Sequence, residues 1–343
     1  MDLPAEKALR PATGSIPAVS AAIPDPAPRH VEVRPEVVAF GGGHGLAATL
    51  ASLRLVTDRI TAVVTVADDG GSSGRLRQEF GALPPGDLRM ALSALCDDSE
   101  WGQTWRDVLQ YRFDTAGPLD QHAVGNLLIV ALWELLGDTV GGLDWIARLL
   151  GARGRVLPMA AVPLEIEADV DLGGTMTSVV GQSHVALAAG RIGQIRLTPS
   201  DPPVADEVLD AVANSDWLVF GPGSWFSSVM PHLVVPRLQQ AIIESKAHRL
   251  LTLNISTGDD ESFGMTAADQ LDALHAHAPD VRFDVILADP SQFNSPRKMR
   301  AAAARLGARL VVSDLRRADG TARHERFRLA AAYREIFGLD EAD

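Results

Sequence analysis

The 343-residue chain is 46% hydrophobic and 22% charged, an ordinary globular composition with room for one large or two ordinary domains. Its 44 acidic against 31 basic residues leave a net charge of −13, which argues against nucleic acid or an anionic membrane as the main partner. Cys96 is the only cysteine, so disulfides and cysteine metal clusters are excluded and a cytoplasmic location is expected. Residues 1–36 are rich in Pro and Ala, with Pro24, Pro26 and Pro28 close together, and read as a disordered tail without the pattern of a signal peptide. The longest apolar run, Leu127–Trp133, is too short to span a bilayer.

From residue 37 onward the pattern is α/β. Val37–Phe40 and Ile60–Val66 are short runs rich in β-branched residues, suited to buried parallel strands. Between them Leu46, Leu50, Leu53 and Val56 recur at helical spacing, which makes a βαβ crossover. The first loop, Gly41-Gly42-Gly43-His44-Gly45, opens that helix. Glycines there let backbone N–H groups point at an anion, and the helix adds its positive end. No Gly-Lys-Ser/Thr follows, so it is not the P-loop of an NTPase. Gly43-x-Gly45-x-x-Ala48, with Asp68 near the end of the next strand, also fits a dinucleotide fingerprint; the plain alternative is a tight turn for helix–strand packing.

The second loop, Asp68-Asp69-Gly70-Gly71-Ser72-Ser73-Gly74-Arg75, is denser than a turn requires. Its serines and glycine amides suit phosphate, Arg75 or Arg77 can pair with it, and the acids suit a sugar hydroxyl or Mg²⁺. A solvated surface loop is the alternative. Further on, Asp87 is placed as a helix N-cap ahead of the stripe Leu88, Ala91, Leu92 and Leu95. Arg89 in that first turn opposes the helix dipole, which suits a facing anion. Residues 101–136 read as helical throughout, so His122 and Asn126, four apart, would share one face, toward a ligand or toward a core hydrogen bond.

Glu165–Ala168, Val179–Leu187 and Ile192–Leu197 read as strands of a β-rich insertion over about 164–198, turned at Gly173-Gly174 and Gly190 and free of chemistry. Trp217–Phe220 is a strand running into Gly221-Pro222-Gly223-Ser224, a second glycine–serine loop of the same kind as the first. Trp225 and Phe226 belong to the core rather than to a base stack. Arg249–Asn254 is the next strand, followed by a polar loop in which Asp259, Asp260 and Glu261 either meet a ligand or simply flank a helix. Phe283–Ala288 and Arg309–Asp314 as strands, with helices near Pro296–Leu306 and Ala322–Phe337, complete the alternation. Polar residues thus collect at the carboxyl ends of several strands, where one crevice is expected.

Six stretches in order, VVAFGGGHGL, TAVVTVADDGGSSGRLR, PPGDLRMAL, HAVGNLL, FGPGSWFSSVMPHLVV and LNISTGDDESFGMT, resemble the successive blocks of the YvcK-like gluconeogenesis factors, actinobacterial type. These sit within the wider superfamily of CofD, the 2-phospho-lactate transferase. The resemblance covers about residues 36–290. It implies a Rossmann-like fold: a mainly parallel sheet with helices on both faces and a small β-rich insertion, one domain over 37–343. It also implies a nucleotide-type ligand such as UDP-N-acetylglucosamine and a part in cell shape and wall metabolism during gluconeogenic growth. Carried over by position, Gly42, Gly43, His44 and Gly45 meet the diphosphate. Asp68, Asp69, Ser72, Ser73, Arg75 and Asp87 line the pocket, and Asn126, Gly223, Ser224 and Asn254 complete it. The chain departs from the family pattern at His44 (often Thr), at Gln121 (usually Gly) and at Asp259–Ser262 (usually Pro-Gly-Glu-Thr).

Three functions follow in order. The first is a non-catalytic nucleotide-sugar binder with a regulatory role. The second is a CofD-like transferase of a phosphorylated hydroxy-acid group, with Asp68 and Asp69 as catalytic candidates and Asp69 as candidate Mg²⁺ ligand. The third is an NAD-binding protein, for which no hydride-transfer partner presents itself. Further partners implied are a second copy of the chain and a cell-wall regulatory protein, with neither nucleic acid nor integral membrane association.

Overall fold

Val37–Gly41 (β1) is buried along its whole length, and the rest of the sheet is laid down outward from it. The computed structural model describes residues 34–188, 190–255 and 264–339. Of the tail expected over residues 1–36, residues 1–33 lie outside these residues, as does the acidic loop Asp259–Ser262. To one side of β1 come Ile60–Val64 (β2) and Arg155–Pro158 (β3). To the other come Trp217–Phe220 (β7), His248–Thr252 (β8), Val285–Ala288 (β9) and Arg309–Val312 (β10). Every pair is parallel, in the order β10-β9-β8-β7-β1-β2-β3. The chain fills one wing first and then returns to build the other, so the strand order reverses between β1 and β7. Such a reversal splays the two following loops apart and opens a crevice above the carboxyl ends of the strands.

The insertion is a separate antiparallel sheet of Glu165–Asp171 (β4), Met176–Val180 (β5) and Arg191–Thr198 (β6), ordered β5-β4-β6. Its middle strand alternates buried and half-buried residues, as expected of a sheet with one covered face. The stretch Val179–Leu187, expected as one strand, is divided. Gly181 turns with φ +98°, and Gln182–Ala186 (α7) follows as a short helix.

The helices begin with Gly43–Leu53 (α1), Gly71–Phe80 (α2), Pro85–Leu95 (α3) and Glu100–Gln110 (α4). Val124–Leu136 (α5) and Thr139–Leu150 (α6) precede the insertion. Beyond it lie Asp206–Asn214 (α8), Pro231–Val234 (α9), Pro236–Glu244 (α10), Ala267–His277 (α11), Pro296–Arg305 (α12) and Arg326–Ile336 (α13). Residues 101–136 are therefore not helical throughout. Residues 111–123 form an irregular loop, pinned by a bridge between Arg112 and Ala123. Gly117-Pro118 interrupts the helix, and Gln121 takes φ +58°, a left-handed conformation that usually asks for glycine. Among the described residues no helix is long and apolar enough to cross a membrane.

The core runs across both wings, with Phe40 and Phe220 stacked at 4.5 Å between β1 and β7. Leu46, Leu50 and Leu53 turn the predicted stripe of α1 into it. The N-terminus of α1 is held at the reversal point by an absence: a Cβ on Gly45 would sit 2.2 Å from the Pro222 carbonyl oxygen and 2.6 Å from the Gly223 Cα. Gly45→Ala is accordingly expected to force two backbones apart and lower stability by about 2–3 kcal/mol in urea unfolding. Gly81→Ala, at a left-handed position with nothing within 4 Å, is the control and costs about 1 kcal/mol.

Candidate functional site

Two helices begin on bare glycine at the carboxyl edge of the sheet, one after β1 at the reversal and one after the neighbouring β2. α1 follows Gly42 and α2 follows Gly70; neither start has a side-chain cap or an acid in its first turn. Elsewhere, Ser99, Asp138, Thr266, Ser295 and Glu325 cap their helices with side-chain oxygens. Neither start is closed by a side chain of its own first turn, although Asp68 takes the Gly70 N–H and Asp87 lies against the Gly42–Gly43 turn, and both starts lie where the strand ends open.

Beside them is a cavity of about 240 Å³ lined by Asp68, Gly70, Gly71, Ser72, Ser73, Gly86, Asp87, Arg89, Met90, Arg112 and Asn126. Asp68 Oδ1 accepts from the Gly70 N–H at 3.0 Å, which folds the second loop back on itself. Ser73 Oγ accepts from the Gly86 N–H at 3.0 Å and so ties α2 to α3. Ser72 is a hub. Its oxygen accepts from Asn126 Nδ2 at 3.0 Å and from the Ala123 N–H at 3.3 Å. Its own proton is then directed to His122 Nδ1 at 3.1 Å, which leaves the imidazole proton on Nε2. Burial, then the neighbouring Arg75, hold the His122 pKa below its usual range, consistent with a neutral ring.

From Asn126 the network passes to a cation. Arg89 Nε donates to Asn126 Oδ1 at 2.9 Å, and its terminal nitrogen meets Gln110 Oε1. Arg89 is almost fully buried, yet burial and Arg112 lower its pKa only to about 10, so it stays charged. Asp87 faces it. Asp87 does not cap α3 as the sequence suggested: Pro84 occupies the cap, and Asp87 in the first turn reaches to the glycine loop, where its carboxylate accepts from Gly43. A Cβ on Gly42 would lie 2.4 Å from Asp87 Oδ2, so the loop passes directly over that carboxyl. Burial, then the charge on Asp68, push the Asp87 pKa up from 3.8 to about 7.

A second polar group lies on the other side of α1. Asn254, just beyond β8, uses both ends of its amide on one residue: Oδ1 accepts from the Gly223 N–H and Nδ2 donates to the Gly223 carbonyl, each at 2.8 Å. Ser224 and His44 are exposed beside it, whereas Trp225 and Phe226 are buried in the core as expected. The glycine loop touches both groups, through Gly42–Asp87 on one flank and Gly45–Gly223 on the other.

Three expected residues point elsewhere. Asp69 Oδ1 accepts from the Ser183 N–H at 2.9 Å, so this carboxylate anchors the insertion and does not line the cavity. The insertion, expected to carry no chemistry, thus closes against the second loop. Arg75 donates to the Asp120 carbonyl at 2.6 Å and Arg77 to the Leu164 carbonyl at 2.8 Å. The cavity takes its positive charge from Arg89 and Arg112 instead. Arg112 was missed because residues 101–136 read as one helix; Gly117-Pro118 was the available signal. His122 and Asn126 share no helical face, since α5 starts at Val124, yet both converge on Ser72. Among the described residues, no group of three or more His, Cys, Asp or Glu is placed to hold a metal ion.

The model of the 2-phospho-L-lactate transferase CofD family matches residues 37–327. A Mycobacterium tuberculosis protein named "Putative gluconeogenesis factor" is 45% identical over 89% of this chain and 91% of its own. The Bacillus subtilis "Gluconeogenesis factor" is 36% identical over 74% and 78%. A crystal structure of a Bacillus halodurans protein, described as a member of the UPF0052 family, superposes with a TM-score of 0.78 at 33% identity, covering 87% of this chain and 98% of that one. The chain belongs to the CofD family and, within it, to the group of the gluconeogenesis factors.

Proposed function

We propose that this protein binds a nucleotide sugar of the UDP-N-acetylglucosamine type and acts through that binding as a regulator, in cell shape and wall metabolism during gluconeogenic growth. The observation that carries the reading is the pair of glycine helix starts after the neighbouring strands β1 and β2, neither closed by a side-chain cap, beside a cavity holding two arginines in an acidic protein. Backbone amides of the first turn of α1 and of Ser224 suit a diphosphate. Asp68, Ser73 and Asn126 suit the hydroxyls of a sugar. The gluconeogenesis-factor relatives support the regulatory half of the reading. In a melting experiment with UDP-N-acetylglucosamine at a hundredfold over Kd, stabilisation of about 2.7 kcal/mol is expected without consumption of the ligand. No shift with any nucleotide would sink the assignment.

One observation favours a second reading, a CofD-type transferase. Asp68 and Asp87 present two carboxyl groups to one cavity, where burial first and the Asp68 charge second raise the Asp87 pKa. Such a pair either shares a proton or is neutralised by a cation such as Mg²⁺. With Asp69 turned toward the insertion, Asp87 is its replacement as candidate ligand.

The titration of Asp87 separates the readings. Its folded pKa lies above its unfolded value, so the folded state holds the extra proton between about pH 4 and pH 7. The stability it contributes is complete below that window and is lost as pH rises through it. Asp87→Asn is expected to flatten this fall in urea unfolding. An anionic ligand bound without metal prefers Asp87 neutral, and its affinity in calorimetry should weaken from pH 6 to pH 8. A Mg²⁺-dependent ligand needs the carboxylate, and its affinity should strengthen over the same range.

A further inference from the structure

The helices α11 and α12 begin at the same carboxyl edge of the sheet as α1, one following β8 and the other β9. Their first turns border a second cavity, of about 380 Å³, that the proposed function does not use. Its walls are of two kinds. Met265, Phe293 and Met299 supply apolar surface, and Gln292, Asn294 and Lys298 supply polar groups. Among the described residues no carboxylate lines it, in a chain where acids outnumber bases.

Neither helix start is open to an anion. Thr266 and Asp269 close α11 with a capping box, and Ser295 accepts from the Lys298 N–H at the start of α12. The first turns of α1 and α2 carry no such caps. This second cavity therefore suits a flat, largely apolar group with a few polar atoms on its edge better than it suits a phosphate.

One polar atom is left over. Gln292 is only 7% exposed, and its amide oxygen has no hydrogen-bond partner among the described residues. A buried acceptor in that state is a standing cost to the fold, recovered when a donor arrives. The turn Pro290–Gln292 that carries it is fixed by Asp289. One carboxylate oxygen accepts from the Ser291 N–H at 2.9 Å, and the other from the Leu315 N–H at 2.8 Å. The amide itself turns easily, because the last torsion of a glutamine side chain is soft.

We propose that this cavity receives the base of the nucleotide, its ring set among Met265, Phe293 and Met299 and a ring N–H donated to the Gln292 amide oxygen. This rests on the reading of the α1 start as the diphosphate site. β9 is the third strand from β1, so at about 4.8 Å per strand the cavity lies roughly 14 Å along the edge from that start. An extended nucleoside diphosphate covers such a span. The sugar then falls on the opposite side, over β2, where Asp68, Ser73 and Asn126 lie. Uracil meets the chemistry of the cavity: its N3–H is a donor for the Gln292 oxygen, and its flanking carbonyls accept from amide N–H groups.

The test is calorimetry on the full chain with UDP and with N3-methyl-UDP, in which a methyl group replaces the ring proton, repeated for Gln292→Met. Wild type is expected to bind UDP roughly tenfold more tightly than the methylated nucleotide, the scale of one hydrogen bond. Gln292→Met, similar in volume but without the acceptor, should weaken UDP by the same factor and erase the preference. Its Tm without ligand should be unchanged or higher, since an unsatisfied buried group is removed. The wild-type comparison needs no substitution and stands even where the variant is less stable. Equal affinity of wild type for the two nucleotides, or a preference that persists in Gln292→Met, overturns the base subsite and leaves the diphosphate site in place. Wild type that binds neither UDP nor UDP-N-acetylglucosamine overturns the nucleotide reading, and the subsite with it.

Discussion

The structure depends on one close approach. The first turn of α1 and the turn after β7 touch backbone to backbone, and they can do so only because residue 45 has no side chain. A parallel sheet that reverses its winding must separate two loops at the reversal. Here those loops are drawn together at their bases by Gly45 and by the Thr49 hydroxyl. The crevice above is consequently bounded by fixed backbone amides rather than by long side chains with freedom to lose, which lowers the entropy cost of gripping a ligand. It also explains the reliance on Ser72, Ser73 and Asn254. Short side chains can pin backbone from within the space that glycine leaves.

The cavity on the α2–α3–α5 flank follows a different economy. A buried guanidinium is costly, yet Arg89 is kept charged by neutral acceptors, Asn126 and Gln110, and by carboxylates a little further away. Asp87 meets the opposite difficulty. Moving its pKa from 3.8 to about 7 corresponds to about 4 kcal/mol against the ionised form. Two acids and two arginines therefore surround the cavity without cancelling in tidy pairs. A structural ion pair would be arranged to do so. Groups left in this state gain from a ligand or cation that completes them, which is why perturbed groups of this kind cluster at functional sites.

Much of the fold was legible in the sequence, and the reasons are local. Val37–Phe40, Ile60–Val66 and Trp217–Phe220 announce buried strands by composition, and Leu46, Leu50 and Leu53 announce the helix between the first two by period. The division of residues 101–136 was marked only by Gly117-Pro118, against a background of good helix formers. The conformation of Gln121 was unmarked, because glutamine gives no local sign of φ +58°. Asp87 was misread for a related reason: an acid beside a helix start is a cap or an inward-facing group according to where the first turn begins, and Pro85 moved that start forward.

The site was legible as a set of loops but not as a set of contacts. Asp68 and Asp69 are adjacent and chemically identical, yet one lines the cavity and the other takes the Ser183 amide. Nothing in the second loop distinguishes them, since the deciding partner lies more than a hundred residues away. Arg75 and Arg77 were equally plausible as anion partners, but α2 turns them outward to carbonyls at Asp120 and Leu164. The arginines that do face the cavity, Arg89 and Arg112, come from α3 and from the loop after α4. Sequence motifs mark where backbone must bend and approach; which neighbouring charge faces inward is settled by the packing of elements that the motif does not contain.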